Sequence, residues 1–144
     1  NFRYNLYLIR MLEKVNHIAI AVPDLSIAIL NYKNIFNCKI SKPLKLIDHG
    51  VTTAFISLQN TNIELLEPLG NNSPIKRFLE RNNNGGIHHI CYEVKDINLS
   101  IKNLIKNNCK ILGDGIPREG AHGKPVIFIH PSNFNGTLIE LEQI

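Results

Sequence analysis

His17 and His89 each open a short apolar run, HIAIAV and HICYEV, while Glu64 and Glu140 each sit inside another, TNIELL and TLIELE. Two imidazoles and two carboxylates make a mixed nitrogen–oxygen donor set. Gathered on one buried surface, they are costly to desolvate unless something pairs them. A divalent cation pairs them and leaves a neutral ligand set. Such donors suit a borderline-to-hard ion such as Co²⁺, Mn²⁺, Ni²⁺, Fe²⁺ or Zn²⁺, with positions open for water or substrate.

The elements that must bring these four together are visible because the chain repeats itself. Residues 17–40, HIAIAVPDLSIAILNYKNIFNCKI, are echoed by residues 89–111, HICYEVKDINLSIKNLIKNNCKI, and TNIELL at 61–66 is echoed by TLIELE at 137–142. Each half opens on a histidine strand, passes through a helix, and closes on a glutamate strand. Asp24 and Asp96 are N-caps. Leu25, Ala28, Ile29, Tyr32, Ile35 and Phe36 form an apolar stripe at helical spacing, as do Ile97, Ile101, Leu104 and Ile105. Ser73-Pro74 starts a short extra helix that turns Ile75, Phe78 and Leu79 inward. Val15–Val22, Thr52–Leu58, Asn62–Glu67, Val126–His130 and Thr137–Glu142 read as strands between Gly, Asn and Pro turns. The order β-α-β-β-β, twice, predicts an α+β protein: two pseudo-twofold βαβββ modules whose curved sheets surround a metal-containing cleft, with helices outside. The first module with its connecting helix spans 15–84 and the second 85–144. Residues 1–14 precede them as an extension, and 1–10 (NFRYNLYLIR) lie upstream of Met11, the only methionine.

Strand parity assigns directions. If Ile18, Ile20 and Val22 pack beneath the first helix, His17 faces the cleft. Ile90, Tyr92 and Val94 likewise leave His89 in the cleft, and Glu64 and Glu140 point opposite to Ile63/Leu65 and Ile139/Leu141. Cys91 shares the parity of His89. Strict alternation sends His88 to the helix side or to the mouth of its strand.

Charge and cysteine content narrow the function classes. A net charge of +4 comes from scattered lysines and arginines. No basic cluster interleaved with aromatics marks a nucleic-acid reader, and mild positive charge suits a phosphate-bearing small molecule. No run of about 18 apolar residues reads as a membrane span. Cys38, Cys91 and Cys109 are odd in number and lack CxxC spacing, as expected of free thiols in a reducing compartment.

The chain resembles the vicinal oxygen chelate superfamily and, within it, the methylmalonyl-CoA epimerase family. The segments carrying the resemblance are VNHIAIAVPDL, HGVTTAFISLQNTNIELLEPLG, SPIKRFL, GGIHHICYEV, GAHGKPVIFIHP and GTLIELEQ, from Val15 to the C-terminus. The histidine and glutamate strands are general to the superfamily; the IELLEPLG–SPIKRFL run and GAHGKPVIFIHP are more epimerase-like. By position, the resemblance implies metal ligands at His17, Glu64, His89 and Glu140. It implies a 1,1-proton transfer at C2 that interconverts (2R)- and (2S)-methylmalonyl-CoA, with one divalent ion per chain. A homodimer and a cytoplasmic location, or an organellar one after loss of a leader, are further expectations. Some family members carry a glutamate base where this chain has Thr53, which cannot serve as one. Glu140 is then the first acid/base candidate and Asp48 the second, with His122 and Lys124 as substrate contacts. The rival readings are a glyoxalase I-like lyase, which presents the same donor set, and a ligand-sequestering member, which usually lacks the ligands.

Overall fold

The computed structural model describes residues 10–144; the segment 1–9 of the expected extension lies outside the described residues. Eight strands form one curled sheet: β1 Val15–Ala21, β2 Leu44–Leu46, β3 Val51–Ser57, β4 Asn62–Pro68, β5 Gly86–Val94, β6 Arg118–Glu119, β7 Pro125–Ile129 and β8 Ile139–Gln143. Three helices accompany them: α1 Leu25–Phe36, α2 Pro74–Arg81 and α3 Ile97–Lys106. The strand order β2-β3-β4-β1-β5-β8-β7-β6 reads the same outward from its centre in both directions. The two βαβββ modules therefore meet where β1 pairs antiparallel with β5, and each histidine strand has its own glutamate strand alongside in parallel.

Local chemistry sets the helices as expected. Asp24 and Asp96 accept hydrogen bonds from the Ile27 and Leu99 amides, and Ser73 accepts one from Ile75 with Pro74 at the first helical position. Such caps contribute roughly 1 kcal/mol each. Glu67 and Gln143, each three residues beyond a glutamate of the repeat, accept from the first amides of α1 and α3 at 2.8 and 3.0 Å. Each glutamate strand thus ties down the helix of its own module.

The α1 face of the first module buries Val22, Leu25, Ala54, Ile56 and Leu65, with Ile20, Ala28, Ile29 and Tyr32 against them. The α3 face buries Val94, Ile97, Leu104, Ile127, Ile129, Ile139 and Leu141. Truncating a buried leucine such as Leu65 or Leu141 typically costs about 2–5 kcal/mol. The stripes are shorter than the sequence spacing suggests: Ile35, Phe36 and Ile105 are exposed, because the helices outrun the sheet beneath them. On the opposite face, α2 packs Ile75, Phe78 and Leu79 against Ala19, Ala21, Val51 and Leu66. Small side chains on β1 let α2 approach. Gly85, at φ +88°, leads into β5 where any Cβ would strike the Ala21 carbonyl oxygen.

Candidate metal centre and active site

Register delivers the four predicted residues to one place. Ala19 pairs with Glu64 and Cys91 with Glu140, so each glutamate sits beside the residue two positions after its module's histidine. All four side chains are buried. His17 Nε2 and His89 Nε2 lie 3.3 Å apart. Glu140 Oε2 is 3.1 Å from the first and 2.9 Å from the second. Glu64 Oε1 stands farther out, at 3.5 and 3.7 Å. His17, His89 and Glu140 each place one donor atom within 4.8 Å of the other two.

The donor set fits a cation. Ligands about 2.1 Å from an ion are about 3.0 Å apart on an octahedral edge and about 3.4 Å on a tetrahedral one. The spacings between donors fall around those values. The imidazoles are also oriented for it. His17 Nδ1–H donates to Asn16 Oδ1 at 2.7 Å, and the Nδ1 atoms of His88 and His89 are 2.8 Å apart. Both Nε2 atoms consequently turn toward each other and toward two carboxylates, an arrangement that calls for positive charge between them.

Electrostatics expresses the same demand. Burial alone would raise the Glu140 carboxyl, but hydrogen bonds from His17 and His89, with their charges, hold it well below the usual carboxylate range. Burial dominates at Glu64 and pushes its carboxyl up, although both imidazoles and the Thr53 hydroxyl oppose the shift. At His17 burial works against protonation, yet the Glu140 hydrogen bond and the charges of Glu64, Glu140 and Glu142 raise its pKa above the ordinary value.

His88 departs from the parity expectation. Ala19 pairs with His89, whereas Ile20 pairs with Ile87, so β5 carries one extra residue at His88. The bulge interrupts alternation. His88 therefore lines the same cavity as His89 instead of facing the helix side, with its ring edge-on to Phe78 at 5.1 Å. Burial, with His89 beside it, lowers the His88 pKa to about 4. β1 carries the matching bulge: Val15 pairs with Tyr92 and His17 with Cys91, leaving Asn16 over.

The cavity measures about 920 Å³ and is lined by all four candidate ligands. Asp48 lies at its lining on an exposed 3-10 turn, Ile47–His49. His122 Nδ1–H donates to Glu142 Oε1 at 3.0 Å, and its ring lies 6.2 Å from that of His17 and 4.7 Å from Phe55. Lys124 is exposed in the turn ahead of β7 and lies outside the cavity lining. Thr53 is fully buried, and its hydroxyl donates to Glu64 Oε2 at 2.9 Å. Cys91 is buried beside Glu140; burial first, then the Glu140, Glu142 and Glu64 carboxylates, pushes its thiol pKa up. That packed thiol is absent from the cavity lining.

The model of the glyoxalase/bleomycin resistance protein/dioxygenase superfamily matches residues 16–128. The chain belongs to this superfamily. The ethylmalonyl-CoA/methylmalonyl-CoA epimerase of Cereibacter sphaeroides is 54% identical to it over 134 residues, covering 93% of this chain and 100% of that protein. The mitochondrial methylmalonyl-CoA epimerase of Homo sapiens is 50% identical over 132 residues, covering 92% of this chain and 74% of its own. A methylmalonyl-CoA epimerase solved in complex with methylmalonyl-CoA and NH4+ superimposes with a TM-score of 0.85 at 26% identity, covering 92% of this chain and 94% of that one.

Glu142, at period-two spacing from Glu140, is a third buried carboxylate in the cavity. Within this superfamily fold, two features escape the sequence reading. Phe55 and Phe128 stand edge-on to His17 and His89 at 5.6 and 5.4 Å, each directly across from its module's glutamate. His49 Nε2–H donates to the Glu119 carbonyl at 2.7 Å, bridging the two modules. Neither the aromatic pair nor the bridge has a local sequence signal.

Proposed function

We propose that this protein is a metal-dependent epimerase that interconverts (2R)- and (2S)-methylmalonyl-CoA by 1,1-proton transfer. The observation carrying the reading is the convergence of three buried donors, His17, His89 and Glu140, with Glu64 beside them, inside a cavity of about 920 Å³. The similarity to methylmalonyl-CoA epimerases over more than nine-tenths of this chain supports the choice of substrate. Cavities of this size suit an extended small molecule such as an acyl-pantetheine arm.

His17, Glu64, His89 and Glu140 would hold the divalent cation, with Co²⁺, Mn²⁺, Ni²⁺ and Zn²⁺ all compatible with the donors. A cation held there would supply Lewis acidity toward negative charge developing on a thioester oxygen. The remaining chemistry belongs to the chain. Glu140 turns Oε2 to both imidazoles, which leaves Oε1 to exchange the C2 proton on one face. Asp48, at the cavity lining, serves the other face through the space between. His122 has Nδ1 engaged by Glu142 and Nε2 free to donate to the substrate carboxylate. The apolar edges of Phe55 and Phe128 exclude water around the imidazoles. The family resemblance extends the reading to a homodimer and a cytoplasmic location, with an organellar matrix as the alternative.

Proton NMR in D₂O tests the proposal. Metal-loaded protein is expected to exchange the C2 proton of methylmalonyl-CoA for deuterium. Absence of exchange, with turnover of a glutathione hemithioacetal instead, would overturn it in favour of a lyase.

A further inference from the structure

We infer that Asn16 and His88, the two bulged residues, are a matched pair of positioning residues that hold the ligand histidines in the metal-binding tautomer. The inference rests on the metal reading of the site and goes beyond its four ligands.

Each bulge inserts one residue immediately before a ligand histidine, Asn16 in β1 and His88 in β5. A bulge interrupts strand alternation and can turn two successive side chains toward each other. In both modules the inserted side chain meets the next residue's Nδ1, at 2.7 Å from Asn16 Oδ1 and 2.8 Å from His88 Nδ1.

The chemistry of the contacts fixes the proton positions. Asn16 Oδ1 can only accept, so His17 Nδ1 carries the hydrogen and, in the neutral ring that binds a metal, Nε2 keeps its lone pair. Asn16 is itself held the right way round, since its Nδ2 donates to Glu93 Oε1 at 3.1 Å. That contact excludes the flipped amide. Two ring nitrogens 2.8 Å apart share one hydrogen between them. For His89 to offer a lone pair at Nε2, its Nδ1 must be the donor and His88 Nδ1 the acceptor. The proton of His88 then sits on its own Nε2, and Phe78 braces the ring from the side. An amide oxygen in one module and an imine nitrogen in the other perform the same task. A metal-binding imidazole needs such an acceptor on its far nitrogen to fix both tautomer and ring angle.

The test uses full-length variants and Zn²⁺ competition against a chromophoric chelator. Asn16→Ala and His88→Ala are each expected to weaken zinc binding roughly 10- to 100-fold. His88→Asn, which copies the first module, and Asn16→His, which copies the second, are expected to stay within about threefold of wild type. That rescue separates acceptor chemistry from simple packing, and circular dichroism confirms the fold of each variant. Wild-type affinity in both alanine variants would overturn the inference. So would exchange variants that lose as much as the alanine ones. Should an alanine variant fail to fold, the exchange variants decide alone. The metal reading fails separately, if wild-type protein binds zinc no better than His17→Ala.

Discussion

The two modules of this protein share a βαβββ scaffold around their histidines and glutamates and differ beside the site. Histidine, bulge, edge-on phenylalanine, glutamate and helix-capping side chain recur in matching register on both sides of the β1–β5 seam. The departure lies one pleat further along each glutamate strand. The first module pairs Thr53 with Leu66, and the second pairs Val126 with Glu142. One polar residue is present in each pair, but on opposite strands. Thr53 donates to a ligand glutamate, whereas Glu142 accepts from His122. Symmetry therefore sets the donors around a point, and its local failure makes the two faces of that point chemically unequal. Epimerisation accommodates such inequality, because the two faces of a bound planar enolate are diastereotopic to the protein and their acid/base groups need not match.

The two modules differ most in function at their glutamates. Glu140 touches both imidazoles more closely than Glu64 does, and its carboxyl is held ionised while that of Glu64 is pushed toward protonation. Glu140→Gln is expected to reduce C2 proton exchange by about 10³-fold, within the range for loss of a general acid/base. Glu64→Gln is expected to reduce it only about tenfold. Equal losses in a deuterium-exchange assay would mean that the halves contribute equivalently.

A smaller effect is expected at Thr53. Thr53→Val installs the residue that the second module has at the matching position and removes the hydroxyl from Glu64 Oε2. Loss of that buried hydrogen bond should cost about 1–2 kcal/mol, read from urea unfolding. No change would show that the two modules tolerate the same residue there.

The smallest effect concerns His122. Its hydrogen bond to Glu142 raises the imidazole pKa above 6.5, with burial acting in the opposite direction. Folded protein thus holds this proton more tightly than the unfolded chain does. The stabilisation is complete below pH 6.5 and disappears as pH rises through the raised folded value. The ring is half-exposed, so solvent keeps the contribution small. NMR titration should place the wild-type His122 pKa above that of Glu142→Gln. A lower value in wild type would contradict the ion pair.

Much of this was legible before any coordinates. The repeat, the Asp24, Asp96 and Ser73 caps, and the inward direction of His17, Glu64, His89 and Glu140 all follow from local spacing. These depend on periods of 2 and 3.6 and on which side chains bond a free amide. The sequence leaves His88 between the helix side and the mouth of its strand, because a bulge is a relation between two strands: neither VNHIAIAV nor GIHHICYEV shows by itself that its partner runs one residue short. Ile35, Phe36 and Ile105 kept helical spacing past the end of the sheet that could have buried them. The capping reach of Glu67 and Gln143 joined elements about 40 residues apart.

The duplicated βαβββ order and the inward direction of His17, Glu64, His89 and Glu140 come from the sequence, because periodicity and capping are properties of neighbouring residues. Only the tertiary structure decided that Asn16 and His88 stand behind the two histidines. Strand register, and with it each bulge, is set by how the modules pair across β1 and β5, and no single strand carries that information.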